Sequence, residues 1–304
     1  MKGIFADRSL LFQAGLLFVL LLIGFVISSF FVSLLYLVAE IVSGDFAQDS
    51  MQQSVLFLQY SQFITAICVF LFPALSTAWL CSDQPKDFLC VRAFPDIRML
   101  ILLCLTMLLL SPTVSLTGYF NTQIHLPPSM ATIEEWMKSA EDHVNAFSQK
   151  MIAEKGVIAY VINMIVIAVA AAVTEEFIFR GALLRIIQRK TQNHHLAIWI
   201  VAIIFSAIHF QFYGFVPRMI LGAYLGYLVY WTQNIWVPVF AHFFHNAATL
   251  IGMSNDSLKE NALFSDEIAP EDIRWLSITA GICLILFFYC VRFIRKKESS
   301  SERI

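Results

Sequence analysis

Charge is what this 304-residue chain has least of: Asp, Glu, Lys and Arg make up 14% of it, while 59% is hydrophobic and the mean hydropathy is +0.72. Soluble domains carry about 25% charged residues, so an ordinary soluble fold is excluded. The net charge of −2, with no basic stripe, argues against nucleic acid as a partner. None of the six cysteines stands in a C-x-x-C spacing, so neither a disulfide framework nor a thiolate metal site is expected. There is no H-E-x-x-H zinc signature, no G-x-S-x-G nucleophile turn and no Ser/Lys pairing. Internal repeats, low-complexity tracts and flexible linkers are also missing, which leaves one integral membrane domain over residues 1–304 as the economical organisation.

What the chain does have is long apolar runs. A spanning helix needs about 20 mainly apolar residues, and eight segments qualify: 10–41, 54–81, 97–120, 156–188, 195–213, 216–231, 235–253 and 275–293. The fold class expected is an all-α, polytopic membrane helix bundle enclosing a polar cavity. The first run is too long for a signal-peptide core of about 7–15 residues and is taken as a retained helix. Fourteen of the twenty Lys and Arg residues fall in the segments that face inside if both termini are cytoplasmic, and the acidic residues collect in the other connections. Five of the six tryptophans (Trp79, Trp199, Trp231, Trp236 and Trp275) fall near span ends, as interfacial rings should.

The longest outer connection, 121–155, holds Pro127-Pro128 and then Thr132-Ile-Glu-Glu135, a capping-box pattern. Ile133, Trp136, Met137, Ala140, Val144 and Phe147 follow at helical spacing, so an amphipathic helix is expected there. It is placed either to shield an opening into the bundle or to pack on neighbouring loops. His125, His143, His194 and His195 lie in connections without a partner in helical reach and are expected to be solvated.

Three apolar segments carry polar residues that hydrocarbon does not tolerate without reason. They are Glu175-Glu176-x-x-x-Arg180, Phe205-x-x-x-His209 and His242-x-x-x-Asn246. An ionised side chain at the centre of a span costs roughly 3 kcal/mol, so such groups mark functional sites by default. Positions four apart share a helix face and adjacent ones do not. Glu176 is therefore expected to pair with Arg180, leaving Glu175 free as a candidate general base toward water. Measured from the shared boundary near 190–195, Glu175 and His209 both come to about 21–22 Å of helix rise, which places them at similar depth. His242 and Asn246 lie only about 10 and 16 Å above Ile235. Sharing a face, they can aim two donors at one oxyanion. Glu175, His209 and His242 are also normal zinc-ligand types, so a divalent metal such as zinc, or none, both fit the residues. A proton relay or a helix-specifying network in a transporter or an immunity scaffold uses the same residue types and stays open as the non-enzymatic alternative.

At these residues the chain resembles the CPBP family of intramembrane proteases, which includes the CAAX prenyl protease of the Ras-converting type and bacterial Abi proteins. The likeness rests on Glu175, Glu176 and Arg180, on Phe205 and His209, and on His242 and Asn246, in that order, and it covers about residues 150–255. It implies an intramembrane endopeptidase acting on a membrane-associated or CAAX-like substrate. Glu175 and His209 would activate water, His242 and Asn246 would stabilise the oxyanion, and Glu176 and Arg180 would support them. Family members are usually labelled metalloproteases, and a metal-free glutamate mechanism is also proposed for them. The implied partners are a membrane-bound protein or peptide and the lipid bilayer. The implied location is a bacterial inner membrane with both termini cytoplasmic.

Overall fold

The computed structural model describes residues 2–43, 54–154, 156–255 and 270–301; the acidic connections 44–53 and 256–269 lie outside them. The described residues are mostly helical, without strands. Five helices are long and apolar enough to cross a membrane: α1 (Leu10–Ser43), α2 (Val55–Cys81), α3 (Ile97–Thr122), α5 (Val157–Thr191) and α9 (Pro270–Ser301). Three shorter ones complete the expected set: α6 (His194–Ala207), α7 (Phe215–Thr232) and α8 (Trp236–Ser254). The chain is an integral membrane protein. Between α3 and α5 lies α4 (Ala131–Ala153), the amphipathic helix expected in the outer connection.

Local sequence explains the helix ends. Asp96 caps α3 by accepting from Met99 N at 2.9 Å, and Asn193 caps α6 by accepting from Leu196 N at 3.1 Å. Gln192 and Gln233 adopt left-handed backbone just past α5 and α7, which lets each chain reverse. The expected capping box at Thr132 does not form: α4 starts without a side-chain cap. Glu134 instead accepts from Leu126 N at 3.0 Å and pairs with His125 at 2.9 Å, so it ties the helix start to the preceding loop.

The span expected over 195–213 is corrected. Its helix ends at Ala207 and residues 208–214 form a turn, with Phe210 in left-handed backbone at φ 53°. Several groups fill the bonds that the broken helix leaves open. Asn121 on α3 donates to Phe212 O at 2.7 Å and accepts from Val216 N at 3.2 Å, while Ser206 donates to Phe215 O at 2.7 Å. Non-helical backbone at membrane depth is tolerated only when protein satisfies it in this way.

Helices α2 and α5 are not regular. Ala66–Leu71 in α2, and Met164–Ala170 and Phe177–Leu183 in α5, are wound as π-helix. The two stretches in α5 bracket the turn that carries Glu175 and Glu176, and π segments occur disproportionately at functional sites. The α2 stretch is crossed by α1 at Gly24, where an added Cβ would stand 2.0 Å from Cys68 O. Membrane helices use small residues for such approaches. Gly24→Ala is accordingly expected to force the two helices apart and cost about 1–3 kcal/mol, the usual range for overpacking. A lowered thermal midpoint of the purified protein in detergent checks this; an unchanged midpoint refutes the contact.

Two apolar clusters flank the centre. One joins α1, α2, α5, α6 and α7 through residues such as Leu17, Ala74, Phe179, Ile198 and Phe205. The other joins α3, α7, α8 and α9 through Leu103, Tyr224, Leu228, Ala241 and Phe287. Helix α7 belongs to both, and the polar centre lies where α5 and α8 meet beside it. At the end of the bundle shared by Ala6, Asp83, Arg92, Arg185 and Gln233 there is a cavity of about 850 Å³. A separate cavity of about 800 Å³ lies between α4 and the turn after α6.

Candidate active site

Glu176 and Arg180 pair at 2.7 Å with neither side chain exposed at all. The guanidinium also donates to Gly222 O at 3.0 Å and stacks 4.5 Å from the Phe205 ring centre. Gly222 makes room for this: a Cβ there would come within 3.1 Å of Phe205 and 3.4 Å of the Arg180 Nη2. Glu176 holds a second partner, because His242 Nδ1 donates to the same Oε1 at 2.8 Å. An ion pair fixed from three sides thus sets the orientation of the His242 ring.

Glu175 faces differently. Its Oε2 lies 3.9 Å from His242 Nε2, beyond hydrogen-bond distance, and its side chain keeps 15% exposure. The i,i+4 argument therefore separates the two acids as expected, one sealed in an ion pair and one left outside it with a small part of its side chain exposed. His209 is not on the α6 helix but in the turn after it. Its Nδ1 donates to Phe205 O at 2.6 Å, a carbonyl left over by the helix end. That bond leaves Nε2 of the neutral ring as an acceptor. The Phe205 ring lies 5.0 Å from the His209 ring and 6.1 Å from the His242 ring, so one buried phenyl group spaces both imidazoles.

His242 and Asn246 are each held by a separate acceptor on α5, Glu176 and Ile167 O. Asn246 Nδ2 donates to Ile167 O at 3.0 Å, a carbonyl in the first π-helical stretch of α5. Its second amide hydrogen is uncommitted. The three residues offered for a metal, Glu175, His209 and His242, also do not form a ligand set: among the described residues no group of three His, Cys, Asp or Glu side chains is placed to hold an ion. The donor geometry of the described residues does not fit a resident metal.

Of the histidines expected to be solvated, three have partners from distant parts of the chain, which helical spacing cannot reveal. His125 pairs with Glu134, His195 Nδ1 lies 2.8 Å from the Tyr227 hydroxyl, and His194 stacks on Tyr230 at 4.5 Å.

The residue that sequence reasoning missed is Arg218. It lies in the first turn of the span expected over 216–231, outside the three polar motifs. Its guanidinium donates to Gln211, in the turn that also carries His209. The signal was present in Phe215-Val-Pro-Arg218-Met-Ile, an arginine opening an apolar helix.

The turn carrying His209 is also clasped from α4. Tyr213 N donates to Glu141 Oε2 at 2.7 Å, Gln211 Nε2 donates to Asn145 Oδ1 at 2.8 Å, and Trp136 packs on Phe212 at 5.4 Å. Burial raises the Glu141 carboxyl above its ordinary value, opposed by the Tyr213 N–H and by Arg218, while Asp142 adds to the rise. A raised carboxyl binds its proton more readily in the folded protein. The stability it adds is therefore full below the ordinary carboxylate value and is lost as pH rises through the raised one. Glu141→Gln, which keeps the acceptor and cannot ionise, is expected to gain stability relative to wild type across that window. Unfolding midpoints measured against pH check this, and a difference that stays constant with pH refutes it.

An integral membrane helix bundle with a buried Glu/His/Arg centre and a second, mostly buried carboxylate beside it is thus defined. Residues 157–248, which contain all three motifs, match the family described as type II CAAX prenyl endopeptidase, Rce1-like. The resemblance read from those motifs is borne out over that segment. The uncharacterized protein YpbD of Bacillus subtilis (strain 168) is 30% identical over 89 residues, which is 28% of this chain and 42% of YpbD. The chain thus spans less than half the length of this relative. No solved structure matches the chain.

Proposed function

We propose that this protein is an intramembrane endopeptidase that cleaves a membrane-associated peptide, of the CAAX type or similar, near its C-terminus. The observation that carries the reading is Glu175, held outside any close ion pair at 3.9 Å from His242 Nε2, together with a His209 whose Nε2 is left as an acceptor, inside a segment matching the Rce1-like family. Water beside Glu175 gives it a proton as the water oxygen attacks the scissile carbonyl carbon. His242, when its ring carries both protons, donates from Nε2 to the oxyanion while Nδ1 stays on Glu176. The second amide hydrogen of Asn246 adds a further donor. Collapse of the intermediate breaks the C–N bond, and the proton held by Glu175 passes to the leaving amine. Glu176 and Arg180 are positioning residues, since they act through His242 and Phe205.

The Lys and Arg distribution supports cytoplasmic termini, and the absence of long soluble segments suits a bacterial inner membrane. The test is a comparison of new protein termini in membranes of cells expressing the chain or its Glu175→Ala variant at equal levels. Fragments that depend on Glu175 are expected. Identical termini, with the cellular phenotype retained in the variant, would favour a scaffold or transport role.

A further inference from the structure

Trp136 is the one tryptophan of six that no span end accounts for, and on α4 it stands 55% exposed. Ile133 and Phe147 on the same helix are 46% and 36% exposed. At about 100° per residue the three fall within about 60° of one another around the helix axis. Among the described residues the Trp136 contact with Phe212 touches one edge of this face, and the stretch from Ile133 to Phe147 is otherwise uncovered. The fold grips α4 by an adjoining face, where Glu134 holds Leu126 N, Glu141 holds Tyr213 N and Asn145 holds Gln211.

Depth and continuity decide what lies against the exposed face. Helix α7 runs 18 residues from the 208–214 turn to Gln233, about 27 Å of rise, and the hydrocarbon core is about 30 Å thick. The turn therefore stands at the edge of the hydrocarbon, and α4, packed upon it, stands at headgroup level. The exposed apolar side of α6, Trp199 and Ile203, continues through Ile208 and Phe210 in the turn, beside the Phe212 that Trp136 touches. The lipid-facing surface of the bundle thus leads up to α4, at the level where an indole is favoured. On balance α4 is acidic, with Glu134, Glu135, Glu141 and Asp142 against Lys138 and Lys150. Apolar area rather than lipid charge is what such a helix offers a bilayer.

We propose that the face of α4 formed by Ile133, Trp136 and Phe147 is a membrane-binding surface, seated about 5–10 Å into the boundary between headgroups and acyl chains. Through Glu141 and Asn145 the same helix holds the turn that carries His209, so bilayer surface, α4 and turn form one stack. This seat is independent of whether the centre beneath it is an endopeptidase.

The experiment uses the purified full-length chain in nanodiscs of phosphatidylcholine whose acyl chains carry bromine either near the headgroup or near the chain end. The emission lost between wild type and Trp136→Phe isolates the Trp136 signal, and Trp136→Tyr serves as the background if the phenylalanine variant fails to fold. Bromines near the headgroup are expected to quench that signal more strongly than bromines at the chain end. Aqueous iodide should quench it little, and high salt should leave the lipid quenching in place. A second variant, Trp136→Phe/Gln149→Trp, moves the indole to the far side of α4, where Gln149 is exposed; there iodide should quench and bromine should not. Trp136 quenched by iodide in place of bromine makes the face solvated and overturns the proposal. Shielding from both quenchers also overturns it, by showing that protein such as a second copy of the chain covers the face. Strongest quenching by chain-end bromines, or equal lipid quenching in the Gln149→Trp variant, buries the helix whole and counts against it. Lipid quenching that high salt abolishes makes the seat electrostatic, which the proposal does not survive.

Discussion

Glu175→Gln is expected to lower the cleavage rate by about 10²–10⁴-fold, the range for losing a general base, while leaving the fold in place. The two halves of this prediction come from one geometric fact. Glu175 lies 3.9 Å from its nearest basic atom and keeps 15% exposure, so the fold does not use its charge in a close ion pair. Glutamine keeps the shape of the side chain and removes only the capacity to take a proton from water. The loss should fall on kcat rather than KM, because the carboxylate acts on the water and not on the bound peptide. His209→Ala should fall in the same direction. The His209 Nδ1 bond to Phe205 O closes a local turn that Asn121 and Ser206 also hold, so that turn should survive the substitution. A Glu175→Gln variant within a few-fold of wild type would remove the glutamate from the mechanism, whatever its effect on stability.

The division between the two acids was legible because it depends only on helical spacing: four residues separate Glu176 from Arg180, and that pair forms. Five of the eight expected spans were legible for a similar reason, since hydrocarbon thickness and helix rise fix the length of a span; the other three segments form helices that do not reach that length and hydropathy. What the sequence concealed lies where the backbone leaves the regular helix. His209 was expected on a helix face and sits in a turn, because the run after Ala207 remains apolar while Asn121 and Ser206, distant or adjacent in sequence, take over the hydrogen bonds that α6 gives up. The π-helical winding on both sides of Glu175 has no signature in hydropathy. Helical spacing could not show that two acceptors on α5, Glu176 and Ile167 O, each hold one of the side chains of His242 and Asn246. Arg218 was passed over although the span 216–231 matches α7 to within one residue at each end, because it stands outside the three polar motifs.

Arg180→Ala is expected to destabilise the protein by about 3–5 kcal/mol, the cost of stranding the partner of a fully buried ion pair. Glu176 Oε2 already has no hydrogen-bond partner, so the carboxylate has little else to turn to. Replacing both partners with apolar residues of similar size removes the stranded charge, and such replacements are often neutral or stabilising. Glu176→Leu/Arg180→Met should therefore regain most of the lost stability, short of the bond that His242 Nδ1 makes to Glu176. Activity should not return with it. The same carboxylate fixes the His242 ring, and the guanidinium backs the Phe205 ring that spaces His242 from His209. Thermal denaturation in detergent reads the first quantity and peptide cleavage the second. A double variant that is both stable and fully active would show that the ion pair only holds helices together. A stable, inactive one separates a fold that tolerates an apolar centre from a reaction that requires a polar one.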